Sequence, residues 1–306
     1  MADFRHLARM TDDQGMLQFS HLDKPDGTSG YTLDDNARGL IVALMMGEYA
    51  YPYARAYVNY MEKAQRPDGV WANLLLNDYY EHALDSEDSL GRVIMACTLG
   101  SSSMWPDISA ACGRMLKRSL PRADRFRSPR ALSYVLAALC QGDIPGWNNQ
   151  KRQETITKYS GCLLSLYRKN RDKKWRWFEN YFTYCNGILP QAMFSVYIAN
   201  GDKKALRAGR ESLDFLCEIL FRKDYLNIIG NKGWYLKDQS IPLFDQQPVD
   251  ASSVALACLE ANQAIGKDEY LDFAILAHRW YYGFNIHGLP LYNGETGGCY
   301  DALTED

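Results

Sequence analysis

Two kinds of helical pattern alternate along this chain, and the alternation decides what it can fold into. Residues 93–97, 131–136 and 254–259 are apolar on nearly every side, which marks helices buried all round, whereas residues 203–221 alternate charged and apolar faces, as a half-solvated helix does. The first kind has to sit inside a layer made by the second. Paired in order, the segments read as five hairpins: 33–46 with 53–65, 86–99 with 106–120, 128–139 with 149–168, 186–199 with 203–221, and 249–265 with 269–282. A short helix over 4–10 precedes them, the stretch 11–30 and the tail 287–306 read as loop, and β patterning is nearly absent. A unit returning every ~40–60 residues is the signature of a repeated supersecondary element. The expectation is an all-α, (α/α)6-type toroid built from helical hairpins, a single domain over 1–306 whose sixth pair is either supplied in part by the helix 4–10 or left open at the C-terminus.

In such a toroid the N-terminal ends of the inner helices meet at one mouth, so polar residues placed there gain meaning. The stretch 30–38 sets Tyr31, Thr32, Asp34, Asp35, Asn36 and Arg38 directly before the apolar run 40–46. Thr32 with Asp35 three residues on reads as a capping box, and first-turn acids complement the helix dipole by ~0.3–1 kcal/mol. The pattern recurs: Asp88 follows Asp85 and Ser86, and Asp250 follows Gln247 and Pro248, each near the third helical position. Capping alone does not call for Arg38 and Arg92 one turn on, or for Glu87, Tyr184, Asn186, Asp245, Gln246 and Gln247 beside them. Asp35, Asp88 and Asp250 are therefore expected on one rim, a concave site with convergent polar groups.

Composition narrows the function. A net charge of −3 with pI near 6.0 gives no electrostatic footprint for nucleic acid. No apolar run is long enough for a bilayer, and the N-terminus lacks a signal peptide's apolar stretch, so the chain reads as soluble and cytoplasmic. Eight scattered cysteines, most inside apolar helical strings, and five histidines without metal-ligand spacing read as buried thiols with no zinc site. The 21 Tyr and 7 Trp exceed what a core needs and suit stacking on sugar faces. Trp71, Trp177, Trp234, Tyr31 and Tyr300 are the stacking candidates, and each is equally readable as a loop anchor.

The residues 6–13, 30–38, 86–92 and 245–251, taken together, resemble an uncharacterised family of six-hairpin glycosidase-like proteins found beside sugar-active enzymes and sometimes fused to glycosyltransferases. The resemblance covers nearly the whole chain and implies an (α/α)6 barrel, an oligosaccharide or glycan ligand and a glycosyltransferase or other sugar-active enzyme as partner; the residues themselves suggest no cofactor. The loop 65–71, with Gln65, Asp68, Gly69 and Trp71, is similar to the QxxDGxW loop of several toroids and speaks for architecture. After residues 297–301 the family continues into another helix.

Glycoside hydrolysis needs a protonated carboxyl at the leaving oxygen and a second carboxylate, ~6.5–9.5 Å away when the enzyme inverts. Residues on different inner helices supply that gap, which adjacent Asp34 and Asp35 do not. Asp88 and Asp250 are the expected pair, with Asp35 holding sugar hydroxyls and Arg38 and Arg92 orienting carboxylates. Glu179, beside Trp177 and Phe178, is the rival general acid through desolvation. Arg127, Ser128 and Arg130 are weaker candidates for an anionic substituent. A magnesium role for Asp34 and Asp35 fails on spacing and on the missing phosphate loop. Sugar epimerisation, which other α/α barrels perform, is disfavoured because only His82 and His287 fall near a rim. The leading expectation is an inverting glycoside hydrolase, and the alternative is a non-catalytic glycan-binding module serving a glycosyltransferase.

Overall fold

Most long helices begin where a side chain or a proline can satisfy their first turn. In the computed structural model, which describes residues 3–222 and 224–306, Thr32 Oγ1 accepts the Asp35 amide at 3.2 Å and donates to Asp35 Oδ2 at 2.5 Å, starting α2 (Leu33–Met46) after the short α1 (Arg5–Arg9). α3 (Tyr51–Ala64) begins two residues earlier than periodicity predicts, because Pro52 fits a first turn that needs no amide there. Ser86 caps α4 (Glu87–Ser101), and Ser128 followed by Pro129 caps α6 (Pro129–Gln141), each cap worth about 1 kcal/mol. Between them α5 (Pro106–Ala123) runs past its expected end, since Pro121 removes only one amide from the last turn. α7 (Asn149–Asn170), α8 (Ile188–Asn200), α9 (Lys203–Leu220), α10 (Pro248–Ile265) and α11 (Asp268–Arg279) complete the five pairs. α8 and α10 stop at Gly201 and Gly266, both left-handed, where a missing Cβ removes the strain.

Contacts group the residues into two units. The first runs to Glu154 and takes in Thr296–Gly298, and the second holds Thr155–Glu295 and Cys299–Asp306. In the first unit α4 lies between α2 and α6, while α3 packs on α2 and α5 on α4. The inner members carry the core: Leu33, Leu40, Val93, Ile94, Val135 and Leu136 are all sealed from solvent. The helices approach through small residues, a Cβ on Gly91 falling 2.8 Å from the Ala131 Cα. The loop 65–71 staples α3 to α5, with Gln65 Nε2 donating to Met115 O at 3.0 Å and Trp71 Nε1 to Met61 O at 2.9 Å. Gly69 there is at φ +85 and lies against the Arg118 carbonyl, a place only glycine fits.

In the second unit α8 packs against α10, with α9 on α8 and α11 on α10. α8 starts two residues later than expected. Asn186 uses its side chain to bracket Thr183, accepting the amide at 3.2 Å and donating to the carbonyl at 2.7 Å, which forms a turn that competes with helix. Gly187 then lies against the Ser253 backbone, where a Cβ would sit 2.1 Å from the carbonyl oxygen.

The loops are not free of β structure, as the sequence suggests. Tyr31–Thr32, Leu74–Leu76 and Tyr79–Glu81 form an antiparallel three-stranded ladder, and Tyr181–Phe182 pairs with Tyr235–Leu236. Ladders two or three residues long are too short to show a period of two in sequence. All eight cysteines are free thiols; Cys162 and Cys299 are exposed rather than buried. Among the described residues no helix is long and apolar enough to cross a membrane.

Candidate functional site

In the first unit the first turns of α2, α4 and α6 gather a polar cluster. Gly91 and Ala131 sit one turn below Asp88 and Ser128, so their close approach brings those side chains together, and Ser128 Oγ donates to Asp88 Oδ1. Asp88 is only 7% exposed. Its neighbour Glu87 accepts the amides of Arg127 at 2.7 Å and Ser128 at 2.6 Å, which ties the start of α4 to the chain entering α6. Arg130 is buried.

Arg92 reaches from α4 to α2, where its Nη1 donates to Asp34 Oδ1 at 2.9 Å while the guanidinium lies 5.2 Å from the Tyr134 ring centroid. A part-buried pair stacked on an aromatic face holds its geometry better than a solvated one. Arg38 donates to Asp35 Oδ1 at 3.1 Å. Both arginines thus act on α2's acids. Tyr31 donates to Asp12 Oδ2 at 2.6 Å; burial first, and then this bond to a carboxylate, push its phenol well above the ordinary value. In the loop before α4, His82 Nδ1 lies 3.0 Å from Asp85 Oδ2, and Asp85 Oδ1 accepts the Asn73 amide at 2.8 Å. Trp71 is placed as an anchor, 1% exposed with its N–H bonded to backbone, so neither ring face is open for stacking.

The second unit holds the other candidates. Asp250 lies in the first turn of α10 and is buried. Beside it Tyr281 donates to the Pro248 carbonyl at 2.6 Å, its phenol pushed up to about 12 by burial. Glu179 is buried in a turn whose carbonyl accepts Trp175 Nε1 at 2.6 Å. Trp177 is fully buried and stacks on Phe182 at 4.3 Å, which makes it part of an aromatic core rather than an exposed platform. Tyr184 and Trp234 are half-buried, their centroids 6.2 Å apart.

Gln246 has every polar atom in use: Nε2 donates to Asn227 Oδ1 and the Leu243 carbonyl, both at 3.0 Å, and Oε1 accepts the Ile228 amide at 3.3 Å and Trp280 Nε1 at 3.1 Å. With 0% exposure it has nothing left for a ligand. Asp245 pairs with Lys232 at 3.2 Å, and Gln247 precedes α10 without a side-chain cap bond. Tyr300 is exposed and lines a surface cleft of about 460 Å³ with His287 and Leu303. Sequence reasoning missed Tyr134 and named Asp85 only as a neighbour of Asp88. Each acts through a contact with another segment or with a loop residue, and no spacing announces it.

No family model matches the sequence, and no curated protein matches it either. Among solved structures the chain is similar to a sugar epimerase from ruminal bacterium (TM-score 0.76, 11% identity, 99% of this chain and 87% of that one). It is also similar to a D-mannose isomerase (0.73, 13%, 98% and 88%) and to a beta-1,3-1,4-glucanase from Paenibacillus sp.X4 (0.57, 10%, 84% and 83%). These likenesses establish the fold: it is mostly helical and of the (α/α)6-toroid type.

Proposed function

We propose that the chain is a carbohydrate-active protein of the glycosyltransferase-associated six-hairpin type, which binds an oligosaccharide at the first turns of its inner helices and hydrolyses it with inversion. The observation that carries this reading is buried Asp88 in the first turn of α4, one turn before Arg92, which reaches half-exposed Asp34 on the packed helix α2. Packed helix axes lie ~8–10 Å apart, a spacing that suits two carboxyls ~6.5–9.5 Å apart, as inversion requires. The solved structures similar to this chain include sugar-acting enzymes, which supports a carbohydrate ligand. In this reading Asp88 and Asp34 are the two reacting carboxyls, Arg92 orients Asp34, and Asp35 and Arg38 hold hydroxyls. Asp250 and Glu179, both buried in the second unit, remain the other candidates for a reacting carboxyl.

One observation favours a second reading, a glycan-binding module that serves a glycosyltransferase. Asp34, Asp35, Glu87 and Asp88 already accept hydrogen bonds from Arg92, Arg38, two amides and Ser128, an arrangement suited to ligating hydroxyls without proton transfer. The His82–Asp85 contact supports a third, sugar epimerisation, since a carboxylate on one ring nitrogen orients the other as an acid or base.

A panel of neutral and acidic oligosaccharides, followed by product analysis and by proton NMR in D2O, separates the three. Under the hydrolase reading wild type cleaves with inversion and Asp88→Asn loses at least about 100-fold in rate while still binding. Glycan binding without cleavage by wild type would leave the accessory role standing. Deuterium uptake beside the carbonyl carbon would mark an epimerase.

A further inference from the structure

Six of the nine residues from 168 to 176 are basic, Arg168, Lys169, Arg171, Lys173, Lys174 and Arg176, against the single acid Asp172, in a chain whose net charge is −3. Cations in the last turn of α7 complement its dipole, which accounts for the first two but not for those beyond Asn170. Arg171 pairs with Glu211 and Arg176 with Glu218. Lys169, Lys173 and Lys174 are exposed. The acid within the block is itself neutralised: Asp172 accepts Lys237 Nζ at 2.5 Å and the amides of Lys174 and Trp175 at 2.8 and 2.9 Å, contacts that hold its carboxyl down at about 2. The turn that presents the lysines is rigid, because Trp175 is buried beneath it and bonded to the Glu179 carbonyl.

The same loop leads to an aromatic pair. The ladder of Tyr181–Phe182 with Tyr235–Leu236, with the Lys237 amide on the Asn180 carbonyl at 2.9 Å, sets Trp234 beside Tyr184. Trp234 is held at φ +51, and Cys185, next to Tyr184, at φ +47. Non-glycine residues keep such conformations only where the surroundings over-determine them, and they concentrate at ligand-binding loops. Two half-exposed rings joined through this short ladder to a block of cations match a pyranose that carries an anionic group.

We infer that this loop pair of the second unit recognises an acidic oligosaccharide, with Tyr184 and Trp234 stacking on a sugar ring and Lys173 and Lys174 attracting its carboxylates. The inference rests on the carbohydrate-active reading and adds the substrate class to it. Affinity electrophoresis and calorimetry with oligogalacturonate and with cello-oligosaccharide of equal length test it, using wild type, Lys173→Glu/Lys174→Glu and Trp234→Ala. The acidic oligomer should bind more tightly, and salt should weaken that binding alone. The double charge reversal should cost the acidic oligomer roughly tenfold and leave the neutral one unchanged, while Trp234→Ala should weaken both.

Equal affinity for the two oligomers, indifference to the charge reversal, or equal affinity for duplex DNA overturns the inference and leaves the carbohydrate reading in place. Failure of wild type to bind either glycan overturns both.

Discussion

Replacing Gln246 with leucine separates a structural role from a ligand contact. Leucine fills nearly the same volume but leaves four partners without a bond: the buried Trp280 indole N–H, Ile228 amide and Asn227 Oδ1, and the part-buried Leu243 carbonyl. Each buried group left unsatisfied costs roughly 1–3 kcal/mol. The 3.3 Å bond to Ile228 is the weakest of the four, and local relaxation keeps the others near the low end, so the loss is about 4 kcal/mol. The added apolar surface returns about 1 kcal/mol, for a net destabilisation of about 3 kcal/mol. With a urea m-value of about 3 kcal/mol/M the midpoint falls by ~1 M. Trp280 reports the transition, since its indole N–H loses Gln246 Oε1 as acceptor. Unfolding at the wild-type urea concentration, together with collapsed glycan affinity, would show that Gln246 touches ligand and that the packing argument is wrong.

Further outcomes follow from single contacts. Gly69→Ala places a Cβ 2.2 Å from the Arg118 carbonyl at φ +85 and should destabilise by at least about 2 kcal/mol, measured by urea denaturation. Gly187→Ala drives a methyl into the Ser253 backbone at 2.1 Å, whereas Gly161→Ala in α7 meets nothing within 4 Å; the first should cost about 3 kcal/mol and the second should gain ~0.5–1 kcal/mol, so thermal midpoints that move the same way would refute the close-approach argument. Asp172 is held down mainly by the Lys237 hydrogen bond and then by the Lys174 amide. Its folded value lies below the ordinary 3.8, so its stabilising contribution is present above that pH and is lost as pH falls toward about 2. Lys237→Met should raise the carboxyl titration seen by carbon-13 NMR toward 3.8.

Periodicity and caps make much of this fold legible before any coordinates. The apolar runs mark the inner helices because a helix buried all round has no polar face. Thr32, Ser86 and Ser128 mark where helices start because a hydroxyl can take the place of a missing helical acceptor. The first-turn acids of α2 and α4 are equally visible, since first-turn chemistry is local in sequence.

Partnership was decided only in three dimensions. Arg92 meets Asp34 across 58 residues, Ser128 meets Asp88 across 40, and Gln246 meets Trp280 across 34. Which of these groups ends as a rim and which as a buried bracket depends on the register at which helices and loops pack, set by contacts such as Gly91 on Ala131 and Gly187 on Ser253. Trp71 and Trp177 were equally readable as platforms or anchors, and burial made them anchors. A sequence specifies through its period which face of a helix turns inward. It carries no comparable period for which distant polar atom that face will meet, because that choice is made by close packing among elements far apart in the chain.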